Sequence, residues 1–202
     1  MSDQQKPNWQ PTGLIEGAFE IASHEHRDCV RKGTSIPYIS HLLAVSAFMI
    51  EHGGNEVQAS VALLHDVIED TAVDESMLIA LVDRPVAEIV VACSDSFEKP
   101  KKPWRERKEK YLRHLQEMIA EPEINPAILV ALADKVHNAE TTADMVLHKG
   151  KTAKEIYDDP NFNAKVGEQK WWYESLVTEF RKSTVAPDLV DRLDRAVKAI
   201  FN

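Results

Sequence analysis

Val61-Ala62-Leu63-Leu64-His65-Asp66-Val67-Ile68-Glu69-Asp70 carries the reading of this chain. Four apolar residues run straight into a His-Asp pair, and Val67-Ile68 resumes the run before two more carboxylates. Apolar residues recurring at three and four, rather than two, mark a helix. Gly53-Gly54 closes the helix before it and Asn55 is a good N-cap, so a helix is expected over 56–70. On that helix His65 and Glu69 share one row and Asp66 and Asp70 the next, which puts four ionisable groups on two neighbouring rows. Three carboxylates on two turns repel one another unless a cation or a basic ligand sits among them. A solvated acidic helix end accounts for Glu69 and Asp70 alone. It does not account for His65 and Asp66, which directly follow the apolar run.

The same periodicity extends in both directions. A first helix is expected from 12 or 13 to about 31, with Leu14, Ala18, Phe19 and Ala22 on its inner stripe, broken by Gly33 to Pro37. Further helices are expected over 38–52, 74–82, 85–92 and 104–120, the last after a charged loop over 94–103. Pro126 suits the first turn of a helix running to about 145, and the tail offers two more over 162–182 and 187–201. The fold class is all-α: a flexible N-terminal segment, 1–11, and one helical domain, 12–202. The chain contains neither G-x-G-x-x-G nor G-x-x-x-x-G-K-[ST], which removes the dinucleotide fingerprint and the P-loop. Acidic residues outnumber basic ones 33 to 24, a net charge of −9 that argues against bulk binding to nucleic acid or an anionic membrane. No apolar run reaches the ~18–20 residues of a membrane span, and the polar first ten residues lack a signal-peptide core. Cys29 and Cys93 read as reduced thiols of a cytoplasmic protein.

Polar residues inside other apolar runs are the remaining signal. Asp134 follows seven apolar residues, Ala127 to Ala133, and an ionised carboxylate there costs several kcal/mol unless it is paired or binds metal. Lys135 offers the pairing, so both readings stand. Asn138 and Thr141 follow on the same helix face. His41 lies near the start of an apolar helix, where a lone histidine is ordinarily a satisfied core residue. Together, His41, His65, Asp66 and Asp134 come from three helices. Two imidazoles and two carboxylates without thiolate suit Mn²⁺, Fe²⁺ or another first-row ion better than a structural zinc.

Four segments carry a resemblance: Arg31-Lys32 before Ile36-Pro37-Tyr38-Ile39-Ser40-His41; Leu63 to Thr71; Trp104-Arg105-Glu106-Arg107-Lys108; and Leu132 to Asn138. They resemble the HD superfamily of metal-dependent phosphohydrolases, and within it the hydrolase domain of the RelA/SpoT homologues. The resemblance implies one Mn²⁺ per chain held by His41, His65, Asp66 and Asp134, with Glu69 and Asp70 in acid–base roles. It implies a small-molecule partner, a nucleotide bearing a 3′-diphosphate such as ppGpp or pppGpp, hydrolysed to GDP or GTP and pyrophosphate. Arg31 and Lys32 then contact base and phosphates, Asn138 and Thr141 sugar and base, and Arg105, Arg107 and Lys108 the phosphates. The long enzymes carry synthetase and regulatory domains for which 202 residues leave no room, so the chain resembles a small alarmone hydrolase.

Two departures bear on the nucleotide side: one extra residue between Lys32 and Pro37, and Glu140 where the long enzymes usually have Arg. They keep open adenine alarmones and NADPH as substrates. A non-catalytic nucleotide sensor is the rival of another class, and the intact Glu69-Asp70 pair argues against it. Lys99, Lys101, Lys102 and Lys110 read as a solvated helix start, so Lys101→Ala is expected to be nearly silent. Trp171-Trp172-Tyr173 reads as helix packing with a subunit contact in a homodimer. His24, His26, His52, His114 and His148 read as surface histidines.

Overall fold

Eleven helices and no strand occupy the described residues, 6–94, 102–121 and 126–202, of the computed structural model. In chain order they are α1 (Gly13–Glu25), α2 (Ile39–Glu51), α3 (Glu56–Leu64), α4 (Val67–Asp70), α5 (Glu75–Leu81), α6 (Arg84–Cys93), α7 (Trp104–Ala120), α8 (Ala127–Lys149), α9 (Ala153–Tyr157), α10 (Val166–Phe180) and α11 (Pro187–Phe201). The fold is all-α.

α8 organises the domain. Every residue from Ala127 to Asp134 is buried, because α2, α3, α6 and α11 pack around this half of the helix. That is why the run is apolar on all sides rather than striped. α1 and α2 pack on α3, and α10 joins α11 to α7. Leu42, Met49, Leu64, Ile128, Leu132, Leu176 and Leu193 form the fully buried centre.

Several boundaries differ from the sequence expectation, each for a local reason. α1 ends at Glu25, not near 31, because His26 turns inward as its C-cap. Ala18 and Ala22 are its buried contacts, whereas Phe19 faces outward at 44% exposure. The helix expected over 56–70 is interrupted at His65-Asp66. His65 Nδ1 donates to the carbonyl of Ala62 at 2.8 Å, the carbonyl that the Asp66 amide takes in an unbroken helix. α8 runs on to Lys149 and stops at Gly150, whose φ of 64° is a left-handed cap, with Lys151 N–H returning to the Met145 carbonyl. α9 was not anticipated, although Thr152 and Glu155 form a capping box at its start. α10 begins at Val166, which leaves Phe162 in the connection before it. At the N-terminus Trp9 donates to the Gly54 carbonyl at 3.0 Å, and Glu56 accepts from both the amide and the hydroxyl of Thr12.

Candidate metal centre and active site

The break in the α3–α4 segment turns His65 and Asp66 toward α2 and α8, and there the four candidate ligands meet. His41 Nε2 lies 3.6 Å from Asp66 Oδ2 and 3.1 Å from Asp134 Oδ1. His65 Nε2 lies 3.0 and 3.7 Å from the same two oxygens. His41, His65 and Asp66 form a cluster able to hold a metal ion, and Asp134 closes it from α8. Both Nε2 atoms are buried and without a hydrogen-bond partner.

The other ring nitrogens explain this. His65 Nδ1 donates to Ala62, and His41 Nδ1 lies 2.7 Å from His137 Nδ1. Each imidazole thus turns its Nε2 toward two carboxylate oxygens, an arrangement that calls for positive charge at this point, and two imidazole nitrogens with two carboxylates make a donor set that fits a divalent metal. Burial works to lower His65, yet Asp66 and Asp134 raise it well above its ordinary value. Burial likewise opposes ionisation of Asp66 and Asp134, and the surrounding cations still hold both low: chiefly His65 for Asp66 and Lys135 for Asp134. The cluster demands positive charge.

Neighbours fix this arrangement. Tyr38 donates to Asp66 Oδ2 at 2.5 Å. Asn138 donates to Asp134 Oδ1 and accepts from Arg31 at 2.6 Å, linking the basic loop to the ligand set. Lys135 pairs with Asp134 Oδ2, as one sequence reading of Asp134 expects, while Oδ1 faces the two imidazoles. His137 is pushed down to about 4 by burial, then by His41 and Arg31.

A cavity opens from this cluster. Glu69 and Asp70 line it beside Asp66 and Asp134, and so do Arg31, Lys32, Arg107, Lys108, Asn138 and Thr141. Arg31 and Lys32 ride on a tight loop closed by the Val30–Pro37 bridge, with Gly33 at φ 70° supplying its left-handed residue. Both residues of the basic pair line the cavity from this loop.

Three expectations are corrected. Arg105 does not reach the cavity: its guanidinium stacks 3.2 Å from the Trp171 ring centroid and bonds Glu109, clamping α7 to α10. Trp172 and Tyr173 are buried within this chain and line the cavity, so neither is available for a subunit contact. His26 is no surface residue. It is 2% exposed and stacks on Tyr38 at 5.1 Å. Lys99 and Lys101 lie outside the described residues. Glu140 faces α11, not the cavity, and takes a bidentate bond from Arg192 at 2.8 and 2.9 Å. The sequence reading missed Tyr38, His137 and Lys135 as parts of the site. An aromatic or cationic residue within three positions of a candidate ligand was the signal available.

The profile of the HD domain family matches residues 18–158, which contain every one of these cluster residues. The chain belongs to the HD domain family. It is similar to the bifunctional (p)ppGpp synthase/hydrolase SpoT of Escherichia coli K12, at 33% identity over 65% of this chain and 18% of that protein. It is similar also to the guanosine-3′,5′-bis(diphosphate) 3′-pyrophosphohydrolase of Haemophilus influenzae, at 35% identity over 60% of this chain and 18% of that protein. The chain spans about a fifth of the length of these curated relatives. Among solved structures it is similar to a metazoan SpoT orthologue described as hydrolysing ppGpp. There the TM-score is 0.70 with 25% identity, covering 94% of this chain and 97% of that one. A Listeria monocytogenes EGD-e protein gives a TM-score of 0.65 with 25% identity, over 84% of this chain and all of that one. The matched region thus spans α2, the interruption at His65-Asp66 and Asp134 of α8.

Proposed function

We propose that this HD domain, over 12–202, is a Mn²⁺-dependent hydrolase of the 3′-pyrophosphate of (p)ppGpp-type nucleotides, yielding GDP or GTP and pyrophosphate. The observation that carries the reading is one cavity lined both by Asp66 and Asp134, the carboxylates of the imidazole–carboxylate cluster, and by four cations, Arg31, Lys32, Arg107 and Lys108. That combination suits a polyanion brought to a metal. The relatives named above supply the alarmone as the polyanion. Hydrophobic burial of the cluster supports a bound cation rather than a solvated acidic patch.

His41, His65, Asp66 and Asp134 hold the ion, one per chain. When bound, a divalent cation polarises a phosphoryl oxygen and makes water more acidic. Glu69 and Asp70 orient the attacking water and move its proton, on the cavity side of α4. The water oxygen bonds to the phosphorus carrying the ribose O3′, the O3′–P bond breaks, O3′ takes a proton, and pyrophosphate departs with the new oxygen. Arg107 and Lys108 bind phosphate oxygens, for which a guanidinium offers a bidentate match. Arg31 and Lys32 hold the nucleotide from the opposite wall, and Asn138 and Thr141 contact its sugar and base.

The test is product analysis of Mn²⁺-loaded protein offered ppGpp, ppApp and NADPH in parallel. The proposal expects pyrophosphate from ppGpp. Orthophosphate from NADPH with no pyrophosphate from either alarmone would replace it with a phosphatase, and binding without turnover would replace it with a sensor.

A further inference from the structure

We propose that Lys135 is a further catalytic residue, its ammonium binding a non-bridging oxygen of the substrate's diphosphate beside the metal. The inference rests on the phosphohydrolase reading above. It starts from the way Asp134 divides its two oxygens. Oδ1 faces His41 Nε2 at 3.1 Å and His65 Nε2 at 3.7 Å, and Oδ2 takes the ammonium of Lys135. The ammonium thus stands one carboxylate's width from the ligand cluster.

It is also held in place. The Lys135 side chain is 17% exposed, and its Nζ lies 5.2 Å from the centroid of the buried Tyr111 ring, which offers the charge an electron-rich face. Lysines usually carry their charge out to water along a flexible stem. This one is fixed by an anion and a ring at the cavity wall; the Tyr111 ring meets Trp172 edge-on at 5.5 Å, and Lys108 lies over that indole at 4.8 Å.

The simpler role, neutralising Asp134, accounts for one N–H. An ammonium has three. It also leaves a conflict of charge. Arg31, Lys32, Arg107, Lys108 and Lys135 line one cavity with Asp66, Glu69, Asp70 and Asp134, so a dication bound there leaves positive charge in excess, and like charges in a poorly solvated space repel strongly. An anion placed among them removes the conflict, and the diphosphate of the proposed substrate is such an anion. The ammonium then neutralises charge on the phosphoryl oxygens as the O3′–P bond breaks, from a position that needs no rearrangement.

The experiment compares wild type, K135M and K135R as Mn²⁺-loaded full chains. It measures bound Mn²⁺ by elemental analysis, inorganic pyrophosphate affinity by calorimetry, and kcat and KM with ppGpp. K135M is expected to keep one Mn²⁺ while its pyrophosphate Kd rises by about 10–100-fold and its kcat falls. K135R is expected to recover most of the pyrophosphate affinity. Loss of Mn²⁺ from K135M would overturn the proposal, since Lys135 would then serve only Asp134. Unchanged pyrophosphate affinity at full Mn²⁺ would overturn it too. If K135M is not folded by circular dichroism, K135Q keeps the stem and a donor and decides the same comparison. Should wild type bind pyrophosphate but release none from ppGpp, the alarmone reading fails by itself, and the pyrophosphate comparison still judges Lys135.

Discussion

At the metal end of the cavity, His41, His65, Asp66 and Asp134 come from elements that cross in the core. Three of them are nearly inaccessible, at 0, 4 and 5% for His41, His65 and Asp134. Each candidate ligand is fixed by a neighbour: His41 by His137, His65 by the Ala62 carbonyl, Asp66 by Tyr38, Asp134 by Lys135 and Asn138. The end proposed to hold the nucleotide adds connections to helices. Arg31, Lys32, Thr34 and Ile36 on the α1–α2 loop, and Phe162 and Asn163 between α9 and α10, join Arg107 and Lys108 of α7 and Asn138 and Thr141 of α8. Core positions tolerate little change, whereas loops vary without disturbing packing. The contrast assigns the chemistry to the scaffold and the choice of substrate to the loops. It expects substitutions at the first end to remove metal or turnover, and at the second to move KM or preference.

The largest effect is expected from His65→Ala, which removes a ligand and leaves Asp66 and Asp134 unbalanced. Elemental analysis should find the Mn²⁺ gone and pyrophosphate release from ppGpp abolished. A fully metallated, active His65→Ala would break the comparison at its stronger end. Next come Glu69→Gln and Asp70→Asn, expected to keep Mn²⁺ and lose turnover by roughly 10²–10⁴-fold, the range of general acid–base catalysis. Metal lost from either variant would move that carboxylate into the ligand set. His137→Ala tests the support behind His41, with Mn²⁺ affinity expected to fall by roughly 10–100-fold, the usual cost of removing a partner that orients a ligand.

The same contrast explains what was legible in the sequence. Helices with buried stripes, such as α7 and α11, are found where periodicity puts them. The burial of Asp134 beside the other polar groups was legible because a carboxylate after seven apolar residues has few places to go. The interruption at His65-Asp66 was not, since it depends on a ring nitrogen competing for a backbone carbonyl, and periodicity carries no trace of that. Arg105 and Arg107 illustrate the limit at the nucleotide end. Both belong to one basic stretch, yet a tryptophan sixty-odd residues away takes Arg105 and leaves Arg107 to the cavity. Trp172 and Tyr173 failed for the same reason: which side of an aromatic cluster faces a cavity is a tertiary fact.

Arg107→Ala is expected to raise KM for ppGpp by about 10–100-fold, the scale of a lost hydrogen bond to a charged group. Lys102, exposed and paired with Glu106 at 3.2 Å, should give a Lys102→Ala variant within about twofold of wild type, as an exposed ion pair is worth ~1 kcal/mol at most. Steady-state kinetics of the two, side by side, checks the division of the basic stretch. Equal effects would dissolve it.

The smallest effect concerns the residue that departs from the resembled pattern. Glu140 accepts both ends of the Arg192 guanidinium, which also stands 4.5 Å from the Phe48 ring centroid, so the pair ties α11 to α8 and α2. Both side chains are about a third exposed, at 35 and 30%, so solvent screens the attraction. A pair of this kind contributes about 0.2–1 kcal/mol, or roughly 1–4 °C in Tm for a domain of this size. Glu140→Ala should therefore lower Tm by that amount and leave kcat/KM for ppGpp and ppApp in unchanged ratio. The charge-reversed double variant E140R/R192E should recover part of the loss, because the two residues face each other, and only part, because Glu51 and Asp188 also attract the Arg192 charge and would repel a carboxylate placed there. A shift in the guanine-to-adenine ratio in Glu140→Ala, with Tm unmoved, would place this carboxylate within reach of the base. The departure would then act on substrate choice from the scaffold side of the molecule, which is where the comparison between the two ends assigns none.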